Sequence, residues 1–335
     1  AGCGSGFLAL PPHHPVKYGS DQPDVPPDDA VGAGAFHRSF DDRLWLFSRA
    51  WEPSDPSTAW ATLMIVHGTL DHSGVYAELG ERLAAQGVAV FASDMRGWGR
   101  SDGEPLYFNN IETFTKDVLA DYERIHGPES PYARVASRFL LGKSLGGLVT
   151  AWAANQHRSH WAGLIGLSGA YKVEAARLPR RPLAACIRVA ALALPKLPAA
   201  GPLDPELLVS DAAARQAWEQ DPLVSHGKLT LGYVVEIMRA QAELQASLQG
   251  LGIPVLMLWG TGDQVVTEEG HRMVVEASGH ADSRLIQYPG GLHNLLAEPA
   301  LKSTLMSDIA SWIADISRRG PAEETGEEVE EAVGN

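Results

Sequence analysis

The strongest constraint on the fold is a series of short apolar runs that alternates with segments of helical periodicity. The runs at 61–69 (ATLMIVHGT) and 88–96 (VAVFASDMR) are almost entirely apolar, which is typical of strands buried on both faces of a parallel sheet. Helical patterns at 76–87 and 111–125 follow these two runs. The alternation predicts an α/β fold, with a mostly parallel central sheet and helices on both faces.

Three segments of different composition flank or interrupt this alternation. Residues 1–35 are rich in Gly and Pro, which indicates a flexible leader. The alternation pauses at about 174–250, where a Pro-rich helical stretch predicts a lid above the strand ends. Residues 320–335 hold six Glu and no Lys or Arg, which indicates an acidic, disordered tail. The α/β domain is therefore predicted to span 36–319.

Charge and cysteine content narrow the classes of function. The net charge is −14, and the terminal segments carry most of it, so the body is only mildly acidic and has no basic patch. We therefore expect no nucleic-acid partner. Cys3 and Cys186 are too few for a disulfide framework, and no apolar run reaches the roughly 20 residues that span a bilayer. We expect a cytoplasmic or peripheral membrane location, with organellar targeting left open because the chain starts with Ala.

The run FLLGKSLGGL (139–148) fits two different motifs. A phosphate-binding loop requires a glycine five positions before Gly142, where this chain has Ser137, and the intervening residues are those of a strand. A nucleophile elbow instead requires small residues two before and two after a serine, between a strand and a helix. Gly142 and Gly146 meet that requirement around Ser144. The sequence therefore favours a serine nucleophile at position 144.

A serine nucleophile needs a base and a group that orients the base. Asp263 follows the predicted strand IPVLMLW, and a carboxylate at that end of a parallel strand lies at the same edge as the elbow. His293 follows in a Gly-rich loop after the last strand, which gives the chain order serine, acid, histidine. Glu174 remains the alternative acid. Six other histidines are each expected to be solvated surface residues: His13, His14, His157, His160, His271 and His280.

Two backbone N–H groups are expected to form an oxyanion hole. One belongs to Leu145, at the start of the helix after the elbow, and the other to Thr69, in the loop after the VHG strand. His67 is expected to be a buried structural imidazole that shapes this loop. A site of this kind requires no metal and no organic cofactor.

These segments resemble those of a known family. HGTLDHSG (67–74), DMRGWGRSDG (94–103), GKSLGG, GTGDQVV and GGLHNLLAE are similar, in this order, to segments of the α/β-hydrolase superfamily. Within it they look most like the monoglyceride lipase group, also called the serine aminopeptidase or lysophospholipase-like group. The resemblance covers about 40–318 and implies the α/β-hydrolase fold. One departure is Lys143, where the group usually has His; the elbow geometry is expected to direct this side chain away from the oxyanion site.

The resemblance implies a serine hydrolase that cleaves the carboxylic ester of a monoacylglycerol through an acyl-enzyme, with a lipid ester as its partner. A lysophospholipase, a general carboxylesterase or an acyltransferase fits the same residues. An alternative of another class is a non-catalytic ligand receptor on a hydrolase scaffold.

The predicted lid carries an unusual excess of positive charge. Between 171 and 201 there are six Lys or Arg residues against one Glu, among many Ala and Leu. Apolar bulk with scattered cations is the pattern of a helix that rests on a bilayer. It also fits a lid whose apolar face covers the active site. The first interpretation predicts transient contact with a membrane surface, and both remain open.

Overall fold

The computed structural model describes residues 34–108, 110–177, 179–200 and 204–319. Its strands are β1 (Gly34–Arg38), β2 (Trp45–Trp51), β3 (Ala61–Val66), β4 (Val88–Ser93), β5 (Ser137–Lys143), β6 (Gly163–Leu167), β7 (Pro198–Ala200), β8 (Leu229–Thr230), β9 (Val255–Gly260) and β10 (Arg284–Tyr288). Its α-helices are α1 (Ala77–Ala84), α2 (Ile111–His126), α3 (Leu145–Gln156), α4 (Arg181–Ala193), α5 (Ala212–Gln220), α6 (Leu231–Ser247), α7 (Glu268–Ser278) and α8 (Pro299–Arg319).

Eight of these strands form one sheet in the order β1-β2-β4-β3-β5-β6-β9-β10. β2 pairs antiparallel with both β1 and β4, and the pairs from β4 to β10 are parallel. The predicted mostly parallel sheet is therefore confirmed. The carboxyl ends of β3, β5, β6, β9 and β10 meet at one edge, where loops from distant parts of the chain come together.

Helices cover both faces of the sheet because its central strands are buried on both sides. Every residue of β3, β6 and β9 is buried, as the continuous apolar runs predict. On one face, α1 and α8 pack through side chains such as Leu79 and Ile309. On the other face, α2, α3, α6 and α7 pack through side chains such as Phe114 and Leu148.

The segment predicted as a lid has an outer and an inner part. α4 is mostly exposed, and its one side chain described as buried is Ala184. By contrast, α6 buries one side in the same core cluster as α2 and α3. β7 and β8 form a small antiparallel pair, which the sequence pattern did not predict. They are only three and two residues long, so neither produces a buried-strand signal.

The described part of the body runs from β1 to the end of α8 at Arg319. β1 begins at Gly34, two residues before the predicted limit, because its residues pair with β2 as far as Arg49. The rest of the predicted leader (1–33) and the acidic tail (320–335) lie outside the described residues. Within the part of the chain that the structure describes, none of the helices combines the length and apolar character needed to cross a membrane.

His271 is buried, and its prediction as a surface residue is wrong. The imidazole lies on α7 with none of its surface exposed. Its Nδ1 donates to the carbonyl of Thr267 at 2.8 Å, and its Nε2 accepts from the N–H of Gly169 at 2.9 Å. Burial lowers the pKa of His271 from 6.5 to about 4. This histidine is therefore a neutral link between α7 and the loop after β6.

The depressed pKa of His271 predicts a loss of stability in acid. Between pH 6.5 and 4 the unfolded chain binds a proton at this residue and the folded chain does not, so falling pH favours unfolding. From pH 7 to pH 5, the free energy of unfolding should fall by about 2 kcal/mol more in the native protein than in His271→Gln. Urea titrations at both pH values measure this difference. An equal fall in both proteins would contradict the prediction.

Candidate active site

Ser144 stands at the turn between β5 and α3 in a strained backbone conformation. Its φ is 50° and its ψ is −117°, a region that residues other than glycine rarely occupy. The two flanking glycines make this turn possible. A Cβ atom on Gly142 would lie 2.3 Å from the carbonyl oxygen of Gly146, and one on Gly146 would lie 2.0 Å from that of Val66. The predicted strand–serine–helix context is therefore present, with no room for larger residues at either glycine.

The structure brings Ser144, His293 and Asp263 together. The Nε2 atom of His293 lies 3.0 Å from the Oγ of Ser144, and its Nδ1 lies 2.8 Å from an Oδ of Asp263. Because a carboxylate only accepts hydrogen bonds, Nδ1 carries the proton and Nε2 is free to accept the serine proton. The imidazole and the carboxylate are buried, whereas Ser144 is partly exposed. This arrangement can remove a proton from the serine hydroxyl.

Asp263 is held as an anion by several donors. Burial alone would raise its pKa, but the facing His293 and the N–H groups of Val265 and Val266 outweigh burial and lower the pKa of Asp263. These N–H groups donate to its second oxygen at 2.7 and 3.1 Å. Glu174, the alternative acid, lies nearby, since its N–H donates to the carbonyl of Val265. The imidazole Nδ1, however, is bonded to Asp263.

The turn that carries the acid and the loop that carries the histidine are joined through their backbones. We call residues 260–263 the acid turn and residues 289–294 the histidine loop. The N–H of Gly262 donates to the carbonyl of Gly291 at 2.9 Å, and the N–H of Thr261 donates to that of Tyr288 at 3.0 Å. The separation of His293 from Asp263 is therefore fixed by main-chain contacts as well as by their own hydrogen bond.

The backbone N–H groups of Leu145 and Thr69 lie on the two segments next to the serine. Leu145 is the first residue of α3, where helical N–H groups have no acceptor within the helix. Loop 67–74 runs alongside, since a Cβ built on Gly68 would lie 3.2 Å from the Cβ of Ser144. Within the described parts of the chain, neither the Leu145 nor the Thr69 N–H donates a hydrogen bond to another protein group. Both therefore remain available to a substrate oxygen.

His67 is a buried structural imidazole, as the sequence analysis expects. Its Nδ1 donates to the carbonyl of Gly68 at 2.7 Å, and its Nε2 accepts from the N–H of Met95 at 2.9 Å. Burial lowers the pKa of His67, which keeps the ring neutral. The ring thus links loop 67–74 to the loop after β4, and both of its nitrogens are occupied.

Lys143 points toward Asp71 in loop 67–74, a partner that the sequence did not predict. Its Nζ lies 2.8 Å from an Oδ of Asp71, and both side chains are buried. The other Asp71 oxygen accepts from the N–H of His72 at 3.1 Å. Asp71 belongs to the HGTLDHSG stretch but was given no role from sequence. The HGTLDHSG motif includes Asp71, but only the folded structure shows that a buried lysine faces it.

The arrangement of groups at the strand ends suits nucleophilic chemistry by a serine. It combines a strained serine, an imidazole facing its hydroxyl, an ionised carboxylate behind the imidazole, and two available N–H groups. In the regions that the structure describes, no group of three or more His, Cys, Asp or Glu side chains is arranged to hold a metal ion.

Comparison with known sequences gives consistent matches over most of the chain. A family model described as serine aminopeptidase, S33, matches residues 57–300. Monoglyceride lipase from Rattus norvegicus is 28% identical, with 82% of this chain and 88% of that protein covered. Monoacylglycerol lipase from Mycolicibacterium smegmatis is 29% identical, with 78% and 90% covered. Caffeoylshikimate esterase from Arabidopsis thaliana is 27% identical, with 80% and 81% covered.

Solved structures show the same fold. Monoacylglycerol lipase from Paleococcus ferrophilus superposes with a TM-score of 0.71 at 24% identity, with 81% of this chain and 99% of that chain covered. A soluble variant of monoglyceride lipase from Saccharomyces cerevisiae, in complex with a substrate analog, gives 0.72 at 19% identity, with 86% and 98% covered. The chain therefore has the α/β-hydrolase fold that the sequence analysis expects.

The buried pair of Lys143 and Asp71 predicts a specific pattern of stabilities. Lys143→Met leaves the Asp71 carboxylate buried without its cation, which should cost about 3–5 kcal/mol of unfolding free energy. The double variant Lys143→Met with Asp71→Asn removes both charges and should recover most of that loss. Chemical denaturation of the three proteins measures it. A double variant no more stable than Lys143→Met would contradict the prediction.

Proposed function

The chain belongs to the serine aminopeptidase S33 family and is a carboxylic ester hydrolase, and from this premise we propose that it cleaves the ester of a monoacylglycerol through an acyl-enzyme on Ser144. The observation that carries the proposal is the continuous hydrogen-bonded path from Asp263 through His293 to Ser144. The names of the relatives, monoglyceride lipase and monoacylglycerol lipase, support the substrate class.

In the proposed reaction, Ser144 attacks the ester carbonyl while His293 takes the serine proton. The N–H groups of Thr69 and Leu145 stabilise the negative oxygen of the tetrahedral intermediate. His293 then gives its proton to the departing glycerol oxygen, which leaves an acyl group on Ser144. Water attacks this acyl-enzyme with His293 as base. Asp263 holds the imidazole in the required tautomer and stabilises its charged form throughout.

Other esters fit the same residues and define the alternatives. A lysophospholipase, a general carboxylesterase or an acyltransferase would use the same serine, histidine and acid. The similarity to caffeoylshikimate esterase supports the carboxylesterase alternative in particular. A panel of monoacylglycerols, lysophospholipids and short p-nitrophenyl esters separates these substrates. A non-catalytic receptor would instead retain its ligand and show no turnover with any of them.

The exposed surface of α4 supports a further part of the proposal, transient contact with a membrane surface. Leu192 and Val189 leave 86% and 68% of their surfaces exposed, which is unusual for large apolar side chains. Arg180 and Arg188 lie exposed on the same segment. An apolar surface with adjacent cations suits the boundary between acyl chains and anionic headgroups. Such contact would bring the enzyme to the surface where its proposed substrate lies.

The nucleophile is tested by removing one hydroxyl. We expect Ser144→Ala to lower kcat for ester hydrolysis by at least about 10⁴-fold and to abolish labelling by a fluorophosphonate probe. Ser168→Ala is the matched control. Ser168 also follows a parallel strand with a positive φ of 45°, but its side chain is fully buried. Labelling retained in Ser144→Ala, or lost in Ser168→Ala, would contradict the assignment.

Membrane contact is tested by flotation with vesicles that contain anionic phospholipid. We expect the native protein to float with the vesicles, and we expect Val189→Glu with Leu192→Glu to remain at the bottom because two charges replace apolar contacts. Trp60→Glu is the control. Trp60 is 40% exposed, but it lies just before β3, at the amino-terminal ends of the parallel strands, whereas the candidate active site lies at their carboxyl ends. Equal flotation of the native protein and the α4 variant would refute the proposed surface.

A further inference from the structure

One side chain of α6 reaches the loop that carries a proposed oxyanion donor. The phenol hydroxyl of Tyr233 is hydrogen-bonded to the side-chain hydroxyl of Thr69. Both side chains are buried, with 7% and 8% of their surfaces exposed. Because folded proteins avoid buried hydroxyls without partners, each of these two groups holds the other in place.

The ring of Tyr233 is itself fixed by its neighbours. Phe108 packs edge-on against it, with ring centroids 5.0 Å apart and an angle of 86° between the planes. The backbone N–H of Tyr233 donates to the hydroxyl of Thr230 at 3.2 Å, and that hydroxyl donates to the carbonyl of Leu106 at 3.0 Å. Burial raises the pKa of Tyr233, so its phenol remains protonated at neutral pH.

α6 is anchored to the body of the fold along its length. A carboxylate oxygen of Glu236 accepts from the N–H of Ile111, at the start of α2, at 2.7 Å. Further along the helix, the side-chain amide of Gln241 donates to the carbonyl of Ala170 at 2.7 Å. Trp152 of α3 also donates to a carbonyl of α6 at 3.2 Å. The helix that presents Tyr233 is therefore a fixed support.

Neighbouring positions of loop 67–74 also contact the inserted segment. The indole N–H of Trp218, on α5, donates to the carbonyl of Leu70 at 3.0 Å. The imidazole Nε2 of His72 lies 2.9 Å from a carboxylate oxygen of Asp221, which caps the end of α5. The insertion therefore holds this loop at three of four consecutive residues.

We propose that Tyr233 is a positioning residue that fixes Thr69, and through it the direction of the backbone N–H that stabilises the oxyanion. The inference rests on the proposed function. An oxyanion donor acts only when it lies about 2.7–3.1 Å from the developing negative oxygen, so a small shift of the Gly68–Thr69 peptide weakens transition-state binding. Substrate binding depends on other contacts and is affected much less. The inner part of the insertion thus completes the site.

The test removes the phenol hydroxyl alone. We expect Tyr233→Phe to lower kcat for hydrolysis of a p-nitrophenyl ester by about 10-fold or more, with KM changed less than about twofold. Thr69→Val removes the other hydroxyl and should lower kcat by a similar factor, and Thr69→Ser, which restores a hydroxyl, should recover most of the kcat that Thr69→Val loses. Because the two groups act through one hydrogen bond, the double variant Tyr233→Phe with Thr69→Val should be no slower than either single variant.

Tyr132→Phe is the matched control. Its hydroxyl donates to Glu52, which follows β2 beside the amino-terminal end of β4, whereas Ser144 lies at the carboxyl end of β5. We expect Tyr132→Phe to have native kcat. Native kcat in Tyr233→Phe, equal losses of kcat in the two Tyr→Phe variants, or multiplicative losses in the double variant would overturn the proposal. If Ser144→Ala also retained hydrolysis, the proposed function would fail. If it did not, only the role of Tyr233 would fail.

Discussion

The architecture of the site depends on the close backbone contact between β5, α3 and the end of β3. Ser144 can occupy its strained conformation only because Gly142 and Gly146 let these segments approach within a distance that excludes a Cβ atom. The surrounding core holds the turn in place, since β3 and β6 are buried on both faces and pair with β5 on either side. The packed sheet therefore holds Ser144 in its strained conformation, which places the serine hydroxyl at the carboxyl ends of the strands.

The inserted segment, at about 174–250, consists of an exposed outer part and a buried inner part. Its outer part, α4, exposes large apolar side chains, and among the described side chains of this helix Ala184 is the one that is buried. Its inner part, α6, belongs to the main core and contributes side chains to the loop beside the serine. The contacts with loop 67–74 described above come from α5, the residue that caps it, and α6.

The sheet and the three central side chains were predictable because the information for each is local. Continuous apolar runs mark buried strands, and a glycine pattern marks the serine turn. Contacts between distant residues leave no such signal: Lys143 and Asp71 are 72 positions apart, and Tyr233 and Thr69 are 164 apart. His271 was wrongly placed on the surface because its helix carries charges on several positions. Only the packed structure shows that this imidazole faces inward, where two backbone groups need partners.

The backbone bonds between the acid turn and the histidine loop reduce the number of independent parts in the site. Because the backbones of Gly262 and Thr261 are hydrogen-bonded to the loop and strand that precede the imidazole, Asp263 and His293 form one structural unit at the ends of the last two strands. Ser144 and the helix that follows it, α3, form the second unit. The hydrogen bond between the imidazole Nε2 and the serine Oγ connects these two units. A distortion that shifts these two units relative to each other therefore changes the separation between Nε2 and Oγ, whereas the proposed oxyanion donors depend on loop 67–74 and the start of α3.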